Sequence, residues 1–349
     1  MPRQMTMQPP ARSTEDLNAL LRGVSRSFYL SIRVLPAPLR RPIGLGYLLA
    51  RATDTLADTT QMPAAERLAS LDNLTAAIDG TATLEDLRGF AGRQADGDEQ
   101  RLILALPQCL AALAATEPQD QEAIRGVLRQ ITRGQKLDVQ RFGEPGPCRA
   151  LENADQLNEY TYLVAGSVGE FWTDLCLRHL RDFAGAQPER MRELGRAYGC
   201  GLQLVNILRD VRDDLAAGRC YFPADELAQA GLAVDQVARE PALLLPLWHR
   251  WQALAEEQVA DGMRYADAVK DRRVRAASAL PALLGARTLA LLEAAGPAAL
   301  EQRIKMPRSE VHGVLLRLLF TRAGRAPLQA HYARLAGKVG GAGWDNAGR

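Results

Sequence analysis

Asp54 and Asp58 stand four residues apart in the segment IGLGYLLARATDTLAD, residues 43–58, and a second acidic group, Asp210, Asp213 and Asp214, contains the same spacing. Carboxylates at i and i+4 lie on one face of a helix, where two such side chains can share a cation. In the first segment Tyr47, Arg51, Asp54 and Asp58 recur at i, i+4, i+7 and i+11, and nearly every other position is apolar, Gly or Thr. A surface helix has a broad polar face and a narrower apolar one. Here the proportions are inverted, which predicts a polar stripe facing an internal cavity. Gln203, Asn206, Asp210 and Asp214 repeat the pattern in a segment whose other positions include Leu202, Val205 and Leu208.

Five carboxylates buried together need a counter-charge, because an isolated anion in a low-dielectric interior costs several kcal/mol or takes up a proton. Mg²⁺ supplies that charge: it prefers carboxylate and phosphate oxygens and is commonly held by one or two carboxylates plus the phosphates of a ligand. One D-x-x-x-D alone is most often a solvated helix face. Two of them, each in an apolar helix with aligned Tyr, Arg, Gln or Asn, point to a metal-held diphosphate. Tyr47, Arg51, Arg209, Arg219 and the cluster Ser25, Arg26, Ser27 are placed to meet the remaining phosphate oxygens. A diphosphate held as a leaving group implies C–O cleavage to an allylic carbocation, in a chamber whose walls are apolar and poor in nucleophiles.

A third segment, YTYLVAGSVG at 160–169, gathers Ala165, Gly166, Ser167 and Gly169 in a helical stretch, although Gly in a helix costs about 1 kcal/mol relative to Ala. Either a ligand or a second helix approaches closely there. Tyr160 lies one turn before Val164, and its hydroxyl is a candidate acid, base or phosphate contact.

The elements that must position these groups read as helices throughout. Of 349 residues, 47% are hydrophobic, 24% charged and 5% aromatic, and 43 basic side chains face 41 acidic ones. That balance argues against a nucleic-acid partner, which would call for a basic stripe with interleaved aromatics. Alternating β-branched runs are nearly absent, so the chain is predicted to be all-α and one domain. Residues 1–12 are expected to be a disordered arm, 13–321 the domain, and 322–349 a short amphipathic piece with a frayed tail. Helices are predicted from Ser13, from about Pro42 to Asp58, and over 64–78, 98–115, 120–142, 155–180, 188–217, 247–268, 273–295 and 308–321. Five cysteines without C-x-x-C spacing indicate neither a disulfide framework nor a zinc site and fit a cytoplasmic protein. No signal peptide and no run of eighteen apolar residues occurs. His179, His249, His312 and His331 are too dispersed for a metal centre, and Trp248 and Trp251 read as packing.

Four segments together resemble the successive motifs of the squalene and phytoene synthases: SRSFYLSIRVLP (25–36), YLLARATDTLAD (47–58), YTYLVAGSVG (160–169) and QLVNILRDVRDDLAAGRCYFP (203–223). The resemblance runs from about residue 20 to 320 with the motifs in family order. It implies a bundle of the class I isoprenoid synthase type with a central cavity, in which two farnesyl diphosphates condense head to head. Asp54, Asp58, Asp210, Asp213 and Asp214 would hold Mg²⁺. Ser25, Arg26, Ser27, Phe28, Tyr47, Arg51, Gln203, Asn206, Arg209, Arg219 and Tyr221 would bind substrate, and Tyr160 would assist proton removal toward presqualene diphosphate. Gly134, Gln135 and Asp138 match the position of a further family helix. The DTLAD motif and the basic stretch IKMPRSE (304–310) resemble squalene synthases, which implies NADPH reduction to squalene with Lys305 and Arg308 as cofactor contacts. GRCYFP (218–223) is nearer to phytoene synthases, and the rival expectation is phytoene or dehydrosqualene without reduction. A non-catalytic helical assembly factor is the alternative of another class. A long hydrocarbon product implies transient contact with a membrane surface.

Overall fold

The computed structural model describes residues 13–25, 28–94 and 96–337. The expected arm at 1–12, Arg26, Ser27 and the end of the expected tail lie outside the described residues, as does the side chain of Phe28.

The chain is a bundle of helices. In order they are α1 (Ser13–Val24), α2 (Phe28–Val34), α3 (Ala37–Asp58), α4 (Ala64–Asp79), α5 (Arg88–Ala91), α6 (Gly97–Leu104), α7 (Leu106–Ala114), α8 (Pro118–Phe142), α9 (Ala154–Thr161), α10 (Ser167–His179), α11 (Pro188–Arg209), α12 (Val211–Ala216), α13 (Ala224–Gln229), α14 (Val234–Arg239), α15 (Leu245–Ala268), α16 (Arg272–Ala295), α17 (Ala298–Glu301), α18 (Arg308–Phe320) and α19 (Arg325–Leu335). Two residue pairs interrupt the helical pattern: β1 (Arg149–Ala150) runs parallel to β2 (Arg219–Cys220), with Arg149 opposite Arg219.

Several predicted long helices are broken where local chemistry demands it. The stretch 98–115 splits at Ala105, because Pro107 sits in the first turn of α7, where it has no N–H to continue the preceding helix. The stretch 155–180 passes through one π-helical turn at Tyr162–Gly166. The stretch 188–217 breaks at Asp210, whose φ of −102° and ψ of 13° leave the helical region. Conversely, α3 begins at Ala37, ahead of the expected Pro42, with Pro38 in its first turn and Pro42 inside it.

Two apolar clusters build the bundle. One is formed largely by α1, α3, α4 and α6–α8 around Leu48, Leu49, Leu71 and Leu106; the other joins α11–α19 around Trp248, Leu283 and Leu289. The small residues at 165–169 serve helix packing. A Cβ on Gly169 would fall 1.8 Å from the Gly195 carbonyl oxygen, and one on Gly199 would fall 2.2 Å from that of Ala165. Only bare backbone lets α10 and the π-turn lie this close to α11, so close helix packing accounts for these glycines.

Residues 325–335, within the stretch expected to begin as a short amphipathic piece, form α19 and pack on α16 with Leu328 and Tyr332 buried. The buried Arg275 of α16 donates to the carbonyls of Val269 at 2.7 Å and Ala323 at 3.1 Å, tying the turn before α19 into the body. Among the described residues α16 alone has the length and composition to cross a membrane. It packs on α2, α11, α15, α18 and α19, as a core helix does.

Candidate functional site

The inverted stripe of α3 does face a cavity. Asp54 and Asp58 line a space of about 570 Å³ together with Arg67 of α4, Asp138 of α8, Tyr160 of α9, and Arg149, Arg219 and Tyr221 from the β1–β2 region. A second chamber of about 370 Å³ adjoins it, walled by Ile43, Gly46, Tyr47, Ala50, Val127, Ile131, Val164, Val168, Phe171 and Trp172, with Arg51, Gln135 and Gln203 as its other polar groups. Asp54 and Tyr160 line both spaces. One side of this junction is charged and the other is apolar, the division an amphipathic ligand requires.

The charges are interlocked. Arg51 pairs with Asp54 and with Glu99 of α6. Arg219 lies 3.6 Å from Asp138 and 3.7 Å from Asp214, and its charge also acts on Asp58. One guanidinium is thus common to carboxylates of three helices. Arg67 donates to the carbonyls of Ala57 at 2.9 Å and Gly143 at 2.7 Å, fixing the end of α3 against the loop after α8.

Crowding leaves these acids short of counter-charge. Burial and then the neighbouring Asp58 push the pKa of Asp54 up to about 6, although 41% of its side chain remains open to solvent. Burial pushes that of Asp214 to about 7, against the pull of Arg219. Asp58 and Asp138 are raised for the same first reason. Carboxylates whose charged forms are disfavoured by burial fit a site completed by a cation, so the donor chemistry suits Mg²⁺. Among the described residues no three His, Cys, Asp or Glu side chains form a ready-made cage. Ligation by one or two carboxylates plus a ligand's phosphate does not require one.

Tyr221 donates to Asp138 at 2.6 Å and stacks on Tyr160 with ring centroids 5.1 Å apart. Both phenols are held well above their ordinary range, chiefly by burial, and stay protonated at neutral pH. In the apolar chamber Gln135 Oε1 and Trp172 Nε1 are buried without a protein hydrogen-bond partner.

The second acidic stripe is only partly delivered. Because α11 ends at Arg209, positions 203, 206, 210 and 214 do not lie on one continuous helix. Gln203 reaches the apolar chamber. Asn206 is exposed and sits 3.4 Å from Gln203 Oε1. Asp210 accepts from Arg209 at 2.5 Å and lies 3.4 Å from Arg303, while Asp213 is 3.8 Å from Arg303 and about half exposed. Arg209, Asp210, Asp213 and Asp214 line neither space, and Asp214 meets the site through Arg219.

Three more of the expected contacts stand apart from the two spaces. Ser25 is buried, but its hydroxyl is spent on the Leu21 carbonyl at 2.5 Å and it lines neither space. Lys305 and Arg308 are exposed, in the segment before α18 and at its first residue, and they too line neither space. Arg67 and Glu99 join the site without having been read in the sequence, Arg303 pairs with the second acidic segment, and Asp138, read there only as matching a further family helix, lines the charged space. Asp138 had a readable signal: Val127, Ile131, Gln135 and Asp138 recur at nearly the spacing of the α3 stripe, and the first three line the apolar chamber while Asp138 lines the charged one.

Residues 21–310 match the squalene/phytoene synthase family. Among curated relatives, chloroplastic phytoene synthase 1 of Arabidopsis thaliana is 32% identical over 214 residues, which are 61% of this chain and 43% of that protein. The match therefore spans under half the length of that relative. Among solved structures, TcSQS in complex with E5700 superposes with a TM-score of 0.74 at 21% identity, covering 94% of this chain and 92% of that one. A dehydrosqualene synthase with ligand gives 0.61 at 20% identity, covering 90% and 99%. The fold is the all-α bundle of the class I isoprenoid synthases. With the family match running through α3, α8, α9 and α11, the helices that carry the cavity, the chain belongs to the squalene/phytoene synthase family.

Proposed function

We propose that this protein is a Mg²⁺-dependent prenyltransferase that joins two allylic prenyl diphosphates head to head and releases a non-reduced product of the phytoene or dehydrosqualene kind. The observation that carries this reading is the junction at Asp54 and Tyr160, where a carboxylate- and arginine-lined cavity opens on an apolar chamber. A diphosphate head belongs in the first and a prenyl tail in the second.

Asp54 and Asp58, with Asp210 and Asp214 of the second acidic segment, would hold Mg²⁺, which when bound neutralises the departing diphosphate and lowers the barrier to C–O cleavage. Arg51, Arg67 and Arg219 add charge-assisted donors to the diphosphate oxygens. Tyr160 keeps its proton, so its role is donation to an oxygen at the junction rather than attack as a phenolate. The apolar walls exclude water from the prenyl cation, leaving the double bond of the second substrate as its nucleophile. The relatives named phytoene synthases support a reaction without reduction. Lys305 and Arg308, the residues that a reductive reading would assign to NADPH, are exposed and line neither space.

The test is incubation with Mg²⁺ and either farnesyl or geranylgeranyl diphosphate, with and without NADPH, followed by mass spectrometry of the hydrocarbon. A head-to-head product of the same mass with and without NADPH is expected. A product that becomes squalene only when NADPH is present would replace this reading by the reductive one, and the absence of Mg²⁺-dependent diphosphate release would remove both.

A further inference from the structure

We propose that α18 and the turn after it form a docking surface for an anionic lipid bilayer. Leu316, Leu319 and Phe320 are 53%, 68% and 84% exposed, and their spacing places them on one face of the helix. Val314 and Leu318, on the other face, are buried. The helix is therefore seated on the protein by one side and presents three large apolar groups on the other.

The surrounding charge selects the partner. Residues 302–337 hold seven basic side chains and one acidic one, whereas the rest of the chain holds 36 basic and 40 acidic. The one acid, Glu310, is occupied by Arg287 at 2.6 Å. Lys305, Arg308 and Arg322 are exposed. Apolar insertion combined with basic flanks is the two-part signal by which interfacial helices bind anionic membranes.

The exposure of Phe320 does not come from a frayed helix end. Ala323 N donates to Leu318 O at 3.1 Å and Arg322 N to Leu319 O at 3.1 Å, a closed C-terminal cap. In that cap Arg322 has φ of 49°, a conformation that favours glycine. Arg303, ahead of α18 in the chain, lies 3.4 Å from Asp210.

The experiment is co-sedimentation of the full chain with vesicles of phosphatidylcholine alone or mixed with phosphatidylglycerol, and it needs no turnover. The wild type is expected to bind the mixed vesicles, less so at high salt. Replacing Leu316, Leu319 and Phe320 together by Ser should lower the partition coefficient about tenfold or more, with unchanged circular dichroism. Arg322→Gly separates structure from binding: it should keep or raise Tm, since it relieves the backbone, yet weaken binding to mixed vesicles. The proposal is overturned if the wild type does not bind mixed vesicles, if the triple variant binds as well as the wild type, or if the wild type is a dimer that the same substitutions dissociate, since a second copy would then cover the face.

Discussion

Tyr221 lies stacked on Tyr160, the rings inclined by 22° and the hydroxyl oxygens 3.5 Å apart, while the Tyr221 hydroxyl is 2.6 Å from Asp138. A phenol has one proton, and the short contact to an acceptor-only carboxylate takes it. Tyr160 therefore keeps its own proton for a partner at the junction of the two spaces. Tyr160→Phe should lower kcat about 10²-fold or more with a smaller change in KM. Tyr221→Phe, one contact further out, should lower it less. Steady-state assays of diphosphate release compare the two, and equal small effects would deny Tyr160 a direct part.

Asp54 and Asp210 stand on different acidic segments, Asp54 with 41% of its side chain open and Asp210 half-buried between Arg209 and Arg303, and neither is part of an apolar cluster. Asp54→Asn and Asp210→Asn should each abolish turnover while leaving the thermal transition cooperative. Normal activity in both variants would remove the metal assignment.

The raised pKa of Asp214 makes the metal-free protein sensitive to pH in a definite direction. Its folded value of about 7 lies above the ordinary 3.8, so between these values the folded state binds more protons than the unfolded one. Stability then falls as pH rises from about 4 to about 7 and is flat above. The side chain is 18% exposed and near Arg219, so the loss is discounted to about 1–3 kcal/mol. Asp214→Asn should flatten this part of the Tm-against-pH curve. Mg²⁺ needs the ionised carboxylate, so its stabilising effect should grow across the same window.

Much of this site is legible in the sequence because helical periodicity is a local property. Four polar side chains on one face of α3 announce a cavity whatever packs opposite, and Asp54 and Asp58 line one. The second rib is less legible, because the break at Asp210 turns on φ and ψ of a single residue, and no spacing reveals it. Glu99 and Arg303 come from segments distant in sequence and Arg67 from the helix after α3, and none carries a pattern of its own; only tertiary contact brings them in. The glycines at 166–169 leave a ligand and a second helix as equal readings until the carbonyl of Gly195 decides for the helix.

Phe171 sets the depth of the apolar chamber. It lines that chamber and also a groove of about 510 Å³ on the outer side of α8 and α10, and Val127 is the other residue common to both. The end of its ring lies 3.3 Å from where a Cβ on Gly46 would stand, so the ring packs against Gly46 in the chamber wall. Phe171→Ala should join chamber and groove, and Gly46→Ala should press on the ring and shorten the space. If a prenyl tail occupies this chamber, the ratio of kcat/KM for geranylgeranyl over farnesyl diphosphate should rise about tenfold or more in the first variant and fall in the second. Truncating a buried Phe costs about 3–5 kcal/mol, and Phe171 is only partly buried, so a folded variant is expected and Tm checks it. Binding of the two diphosphates can also be followed without turnover through the fluorescence of Trp172 in the same wall. An unchanged ratio in both variants, with each folded and active, would mean that the tail runs elsewhere.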